Sequence, residues 1–185
     1  MRQVRLVGLG GSLDGSSASL FALRLALQSA QAAGASTTLL DLRDLDLPLY
    51  AWGQAPPAGA VRLVDAVKAA DGLVWASPLY HGTVSGAFKN AVDWLELLSG
   101  HDPPYLTHKA VGLICTAGGH HGLQAINTME YMVRSLRGVT CPLVVPIAEA
   151  HRAFDAEGQA VQERVGQQLA QLGREVTILA GKLSA

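Results

Sequence analysis

Serine and glycine residues concentrate in one segment near the start of the sequence. Residues 11–19 read GSLDGSSAS and follow an apolar run at residues 4–9. Apolar residues recur at helical spacing after Ser17, so the segment leads into a helix. A helix start has N–H groups without intrahelical partners and a partial positive charge, so an anion can bind there without a basic side chain. The segment therefore predicts a phosphate site, and the alternative is a serine-capped helix after a glycine-rich turn.

The spacing of Gly10 and Gly15 agrees with the phosphate-binding loop of nucleoside triphosphatases. That loop requires a lysine directly after its second glycine, and Ser16 stands at this position here. Because the lysine is the main contact to the terminal phosphates, the sequence argues against a nucleoside triphosphatase.

Gly8 and Gly10 match the first two glycines of the dinucleotide-binding pattern GxGxxG, but Leu13 replaces the third glycine. Asp41 lies at the end of the second predicted strand, where a carboxylate could contact a ribose. Its separation from the glycines exceeds the usual ~20 residues. A mononucleotide phosphate held by amides and hydroxyls is therefore favoured, and a dehydrogenase that binds NAD is the alternative.

A second glycine-containing segment follows the apolar run at residues 72–76. Residues 77–86 read SPLYHGTVSG, and their proline, aromatic residue and glycines make a backbone edge that could line a flat ring. Tyr80 taken singly is more typical of a packing residue than of a ligand. Ser85 falls one residue short of the GxSxG nucleophile pattern, and no Asp or His partner is evident.

A third segment, TAGGHHG at residues 116–122, follows the apolar run at residues 110–115. Its glycines would let a planar group approach the backbone, while His120 and His121 face solvent or a second substrate. A metal site that includes His81 is not expected, because adjacent histidines rarely converge on one ion and these segments contain few carboxylates or thiolates.

These segments belong to a regular alternation of short apolar runs and helical patterns. Strands are predicted at residues 4–9, 36–42, 72–76, 110–115 and 142–145, with helices at 17–34, 59–70, 86–98, 122–136 and from the turn at 154–158 to 179. This alternation is typical of a doubly wound α/β domain with a parallel sheet, here a single domain over residues 1–185. Ligands bind such sheets at the carboxyl ends of the strands, where all three segments fall.

The composition excludes several other classes of protein. With 185 residues, 49% hydrophobic and 16% charged, the chain is neither disordered nor collagen-like. A net charge of −1 without a basic run argues against nucleic-acid binding, and no apolar stretch approaches the ~20 residues of a membrane span. The N-terminus does not resemble a signal peptide. Cys115 and Cys141, without CxxC spacing, are expected to be reduced thiols of a soluble, oligomeric cytoplasmic protein.

Four motifs together resemble the NADPH-dependent FMN reductase family, which includes chromate, azo-dye and quinone reductases. The motifs are GSLDGSSAS, SPLYHGTVSGAFKNAVDW, TAGG and, near the end, FDAEG. The similarity covers nearly the whole chain, and SGxxKNxxDW is its most specific part. It implies a flavodoxin-like fold, a three-layer α/β sandwich with a five-stranded parallel sheet in the order 2-1-3-4-5.

The resemblance also implies an FMN site. The groups expected to hold the phosphate are the hydroxyls of Ser12, Ser17 and Ser19 and the amides of Gly15 and Ser16. The residues expected to edge the isoalloxazine ring, mostly through backbone groups, are Pro78, Leu79, Tyr80 and His81. The residues expected to close its other side are Thr116, Gly118 and Gly119.

The activity implied is hydride transfer from NADPH or NADH to FMN and onward to a quinone, an azo compound, chromate or a partner monooxygenase. No obligatory catalytic side chain is expected, because the cofactor supplies the chemistry. A flavodoxin-like electron carrier that does not react with NADPH is a further alternative. Members of the family form homodimers and homotetramers through the helices after strands 3 and 4, which makes Trp94 and Met129 interface candidates.

One position departs from the pattern of the family. Asp14 stands where the first segment commonly has an arginine. An acid beside a phosphate dianion reduces affinity, so either FMN binds loosely or Asp14 turns away to cap the helix. This choice decides whether FMN is a resident group or a diffusing substrate.

Overall fold

The protein is described by a computed structural model that covers residues 2–184. Its strands are β1 (Arg5–Gly10), β2 (Ser36–Asp41), β3 (Gly72–Tyr80), β4 (Thr83–Val84), β5 (Ala110–Thr116) and β6 (Val139–Ile147). The order across the sheet is β2-β1-β3-β5-β6 with all neighbours parallel, and β4 pairs antiparallel with the end of β3. The five parallel strands confirm the predicted order 2-1-3-4-5.

Helices cover both faces of the sheet. They are α1 (Ala18–Ala32), α2 (Leu42–Leu45), α3 (Ala58–Ala69), α4 (Gly86–Trp94), α5 (Leu123–Ser135) and α6 (Glu163–Leu183). One buried apolar cluster joins α1 and α6 to the sheet, and a second joins α3, α4 and α5 to its other face. The strands are therefore buried on both sides, which explains their nearly continuous apolar runs. None of the helices within residues 2–184 is both long and apolar enough to cross a membrane.

Strand β3 continues four residues beyond its predicted end at Ala76. Strand β1 ends at Gly10 opposite Ala76, so Ser77 and Pro78 pair only with β5, and the last two residues of β3 pair with β4. A strand that is free on one side tolerates proline, which is why Pro78 does not end it. The chain then turns through His81 and Gly82, with φ angles of +47° and +85°, into β4. Two positive φ angles are typical of a two-residue hairpin turn, and this hairpin was not among the predicted elements.

The expectation that Trp94 and Met129 form a subunit interface is wrong. Both side chains are fully buried within the chain. The indole Nε1 of Trp94 donates to the carbonyl of Pro48 at 3.0 Å, and its ring meets that of Tyr50 edge-on. The helical period directs these two residues towards the sheet. Tyr131 on α5, with 71% of its surface exposed, faces outward instead.

Candidate functional site

A cavity of about 510 Å³ lies at the carboxyl ends of the parallel strands. The last residues of β3 and β5 and the segments that follow β1, β5 and β6 enclose it, together with the first turn of α1. Its lining residues are Ser12, Asp14, Ser16, Ser17, Ala18, Phe21, Pro78, Leu79, Tyr80, Thr116, Ala117, Gly118, Ala150, His151, Phe154, Asp155 and Ala156. Its volume is in the range of small-molecule and cofactor sites.

The structure brings most of the predicted site residues together in this cavity. Those that line it are Ser12, Ser16, Ser17, Pro78, Leu79, Tyr80, Thr116 and Gly118. Those outside its lining are Gly15, Ser19, His81 and Gly119. Ser19 lies fully buried beneath the loop, where its Oγ is 2.7 Å from the Oγ of Ser17. His81 is exposed in the tight turn of the β3–β4 hairpin, and Gly15 faces away towards Arg43.

The carboxylate of Asp14 folds back onto the segment after β1. Its Oδ1 accepts hydrogen bonds of 3.0 Å from both the amide and the hydroxyl of Ser16. These two bonds hold the pKa of Asp14 below its ordinary value. The Asp14 amide in turn donates to Ser12 Oγ at 3.1 Å. Asp14 therefore closes the turn before α1 but remains in the cavity wall, and it engages the Ser16 amide, which was expected to face a phosphate.

Helix α1 begins without a side-chain cap. Ser17 is its N-cap residue, and the Ser17 hydroxyl pairs with that of Ser19 instead of bonding a helix amide. Within residues 2–184, the amides of Ala18 and Ser19 have no protein acceptor. Unpaired amides at a helix start attract a phosphate oxygen. The donor set at this end of the cavity, amides and hydroxyls, therefore suits a phosphate monoester.

Arg43 is the cation that lies closest to the turn. Its Nη1 is 2.6 Å from the position that a Cβ on Gly15 would occupy. The guanidinium is committed to Asp41, however, with Nε 3.1 Å from Oδ1 and Nη2 2.5 Å from Oδ2. Asp41 is buried, and its bonds to Arg43 lower its pKa. Asp41 is therefore engaged by Arg43 and is not available to a ribose.

The two glycines of the dinucleotide-like pattern serve packing. A Cβ on Gly8 would lie 2.6 Å from Leu27 Cδ1, and one on Gly10 would lie 3.2 Å from Leu20 Cδ1. Both contacts are with side chains of α1, which can approach β1 closely only because these residues are glycine. The two glycines are therefore explained by close packing of α1 on β1, and neither is placed to contact a phosphate.

Two buried serines fasten the segment after β1 to the segment after β3. Ser85 Oγ donates to the carbonyl of Gly11 and accepts from the amide of Phe88 at 3.1 Å. The Ser85 amide donates to Ser77 Oγ at 3.0 Å. Ser85 therefore acts as the N-cap of α4. From the sequence, Ser85 was considered only as a nucleophile and Ser77 was given no role in the site, although a serine three residues before Phe88 at a helix start is a capping signal.

The segment after β6 forms a wall that was not among the predicted site residues. The ring of Phe154 lies 6.0 Å from that of Phe21 on α1. Asp155 Oδ1 accepts from the amides of Glu157 at 3.1 Å and Gln159 at 2.7 Å, which fixes the turn. The signal in the sequence was FDAEG, noted as part of the family resemblance but not placed in the site.

The cavity contains little that could act as an acid, base or nucleophile. Its carboxylates are Asp14 and Asp155, its one imidazole is His151, and neither Lys nor Arg is among its described lining residues. Burial raises the pKa of Cys115, just below the site, to about 12, so this thiol stays protonated. No group of three His, Cys, Asp or Glu side chains in residues 2–184 is arranged to hold a metal ion.

Comparison of the sequence with protein families gives one match over most of the chain. The sequence model of the family described as NADPH-dependent FMN reductase matches residues 4–152. The NADPH-dependent FMN reductase ArsH of Shigella flexneri is 33% identical over 158 residues, which cover 84% of this chain and 60% of the relative. The NADPH azoreductase of Bacillus sp. (strain OY1-2) is 40% identical over 103 residues, 55% of this chain and 53% of the relative.

This chain spans 52–63% of the length of three curated ArsH relatives that it matches. Among solved structures, the flavoenzyme NAD(P)H:(acceptor) oxidoreductase FerB from Paracoccus denitrificans superposes with a TM-score of 0.78 at 20% identity, covering 97% of this chain and 98% of that one. A flavodoxin from the domain Archaea gives a TM-score of 0.66 at 10% identity, covering 98% and 100%. The predicted flavodoxin-like fold is thereby confirmed.

Proposed function

The chain belongs to the NADPH-dependent FMN reductase family, and from that premise we propose that it reduces a flavin with NADPH or NADH and passes the electrons to a small acceptor. One observation carries the proposal. The cavity has amides and hydroxyls suited to a phosphate at the start of α1, and next to them the backbone of Pro78, Thr116 and Gly118. Such a site binds and orients a cofactor, and the carboxylate beside the Ser16 hydroxyl, that of Asp14, has a lowered pKa and is therefore a weak base.

The residues present fit FMN. Ser12, Ser17 and the free amide of Ala18 would hold the phosphate. The ring would be held along the last residues of β3 and β5 and the segment after β5, at Pro78, Leu79, Tyr80, Thr116 and Gly118. A Cβ added at Gly118 meets no atom within 4 Å, so the backbone there is open to a flat group. When bound, FMN would supply the redox chemistry, accepting a hydride from the nicotinamide and delivering it to the acceptor.

The chain itself supplies orientation and shelter from water. Thr116 and Ala117 are buried at the end of β5 and form one side of the cavity. The Ser85 bond to Gly11 fixes the distance between the segments that would hold the two ends of the cofactor. Phe21 and Phe154 form an apolar wall that excludes water from the α1 side. These residues position the cofactor and move no proton.

Steady-state assays test this proposal. Oxidation of NADPH by the purified protein should depend on added FMN and should increase with an acceptor from a panel of quinones, azo compounds and chromate. A flavodoxin-like carrier would bind FMN without consuming NADPH. Flavodoxins are typically strongly acidic, and the net charge of −1 favours the reductase. A dehydrogenase would bind NAD without flavin, and the engagement of Asp41 by Arg43 argues against it.

We also propose that the protein works as a cytoplasmic homodimer or homotetramer. Two large apolar side chains are exposed in the segment between α2 and α3, Leu49 at 83% and Trp52 at 82%. Trp52 lines a surface groove of about 350 Å³ together with Lys89 of α4 and Met132 of α5. Exposed apolar patches of this kind are typical of protein interfaces. This surface takes the place of Trp94 and Met129 as the candidate contact.

A further inference from the structure

We propose that Asp14 determines which flavins the site accepts, so that riboflavin, which has no phosphate, binds about as well as FMN. The inference rests on the proposed function and concerns the same cavity. Its basis is the position of one carboxylate at the end of the cavity where the terminal group of the flavin side chain would lie.

The first step concerns the hydrogen bonds of Asp14. Its Oδ1 already accepts from the amide and the hydroxyl of Ser16, each at 3.0 Å. A phosphate that used these donors would have to displace the carboxylate, and both bonds would be lost. A phosphate that left them in place would sit beside a carboxylate. Either route weakens the binding of a phosphate monoester.

The second step concerns charge. The bonds from Ser16 favour the ionised form of Asp14. A second carboxylate, Asp155, lines the same cavity, and no Lys or Arg is among the described lining residues. Arg43 lies behind Gly15, and its guanidinium is paired with Asp41. The negative charge of Asp14 is therefore only partly balanced at the place where a dianion would arrive.

The third step concerns riboflavin. It has the same ring and ribityl chain as FMN but ends in a neutral hydroxyl group. A hydroxyl can donate to the ionised carboxylate of Asp14, and hydrogen bonds to charged acceptors are stronger than those between neutral groups. The free amide of Ala18 at the start of α1 still attracts the FMN phosphate. These opposing effects place the two affinities close together.

Titration of flavin fluorescence tests the inference directly. FMN and riboflavin would each be titrated with the parent protein, Asp14→Asn and Asp14→Ser. Asp65→Asn serves as a matched control, because it removes the same charge from an exposed position on α3 outside the cavity lining. Thermal unfolding of each variant verifies that the fold is retained.

We expect the parent to bind both flavins with dissociation constants within about tenfold of each other, and both Asp14 variants to tighten FMN by about fivefold to tenfold, as removal of one nearby like charge would. Riboflavin should bind the variants no more tightly than the parent, and Asp65→Asn should change neither flavin. An unchanged FMN-to-riboflavin ratio in both Asp14 variants overturns the inference alone. Failure of both flavins to bind any form overturns the proposed function and this inference together.

Discussion

The carboxylate of Asp41 holds the guanidinium of Arg43 two residues later, with Arg43 Nη2 2.5 Å from Asp41 Oδ2. Asp41 also accepts from the Arg43 amide at 3.0 Å and so caps α2. The pair fixes Arg43 against Gly15, directly behind the turn that contains Asp14. The ion pair between Asp41 and Arg43 at the end of β2 thus holds Arg43 against the segment after β1, and the proposed phosphate site depends on that segment.

Replacement of this carboxylate should reduce stability in a pH-dependent way. Because Arg43 lowers the folded-state pKa of Asp41, the ionised pair stabilises the protein above the ordinary carboxyl pKa, and this stabilisation is lost as pH falls through the lowered value. Asp41→Asn should lower the free energy of unfolding by about 1–2 kcal/mol near neutral pH. Urea denaturation of both proteins at a series of pH values would measure the difference, which should shrink as the pH falls below the ordinary carboxyl pKa of about 4. A difference that is constant over this range would contradict the assignment.

Removal of the Ser85 hydroxyl should loosen the site as well as the fold. Ser85→Ala loses the cap of α4 and leaves the buried Gly11 carbonyl without its donor, at a cost of about 1–3 kcal/mol. FMN affinity should fall as well, because Gly11 begins the segment that would hold the phosphate. Chemical denaturation and flavin titration measure the two effects. Ser135→Ala, at an exposed hydroxyl on α5, is the matched control and should change neither.

The choice between the two nicotinamide cofactors should be weak. Enzymes that prefer NADPH commonly place arginine at the 2′-phosphate. The described lining of the cavity contains neither Arg nor Lys. The ratio of kcat/KM for NADPH to that for NADH should therefore lie within about tenfold, equivalent to about 1.4 kcal/mol. Steady-state kinetics with both cofactors would test this. A preference of about a thousandfold for NADPH would contradict the prediction and show that a cationic side chain contacts the 2′-phosphate.

A charge placed on the exposed apolar surface should disrupt assembly. Trp52→Glu changes a side chain that is 82% exposed, so the fold of the single chain should be retained. Sedimentation velocity should show a shift from a dimer or tetramer towards the monomer. Val161→Glu, at a residue 63% exposed in the segment before α6, is a comparison outside this surface and should leave the assembly unchanged. An unchanged sedimentation coefficient for Trp52→Glu would show that this surface is not the contact between subunits.

The sequence predicts the sheet well because apolar runs and glycine-rich breaks record strand burial directly. The predicted end of β3 is too early because a proline such as Pro78 normally ends a strand. Only the sheet topology reveals that β1 stops opposite Ala76 and leaves one side of β3 free to accommodate the proline. The prediction of Trp94 as an interface residue failed for a related reason. Helical periodicity shows which face of a helix is buried, but it does not show whether the sheet of the same chain or a second subunit covers that face.

The candidate site shows the same limit. Ser12, Ser17 and Thr116 follow from their places at strand ends, whereas the wall at Phe154 comes from a distant part of the chain. The bond between Asp14 and Ser16 depends on the local turn, so the sequence left two conformations of Asp14 open. Long-range contacts and side-chain rotamers are the parts that sequence patterns do not encode.

Anaerobic stopped-flow mixing tests the central claim most directly, namely that NADPH reduces a flavin held in this cavity. Gly118 lines the cavity and has open space around it, so Gly118→Trp should fill the site without disturbing the core. Gly100 also has open space but lies outside the cavity lining, which makes Gly100→Trp the matched control. With FMN present, NADPH should bleach the flavin absorbance rapidly in the parent and in Gly100→Trp, and only slowly in Gly118→Trp. No bleaching by the parent, or equal rates in all three proteins, would contradict the account.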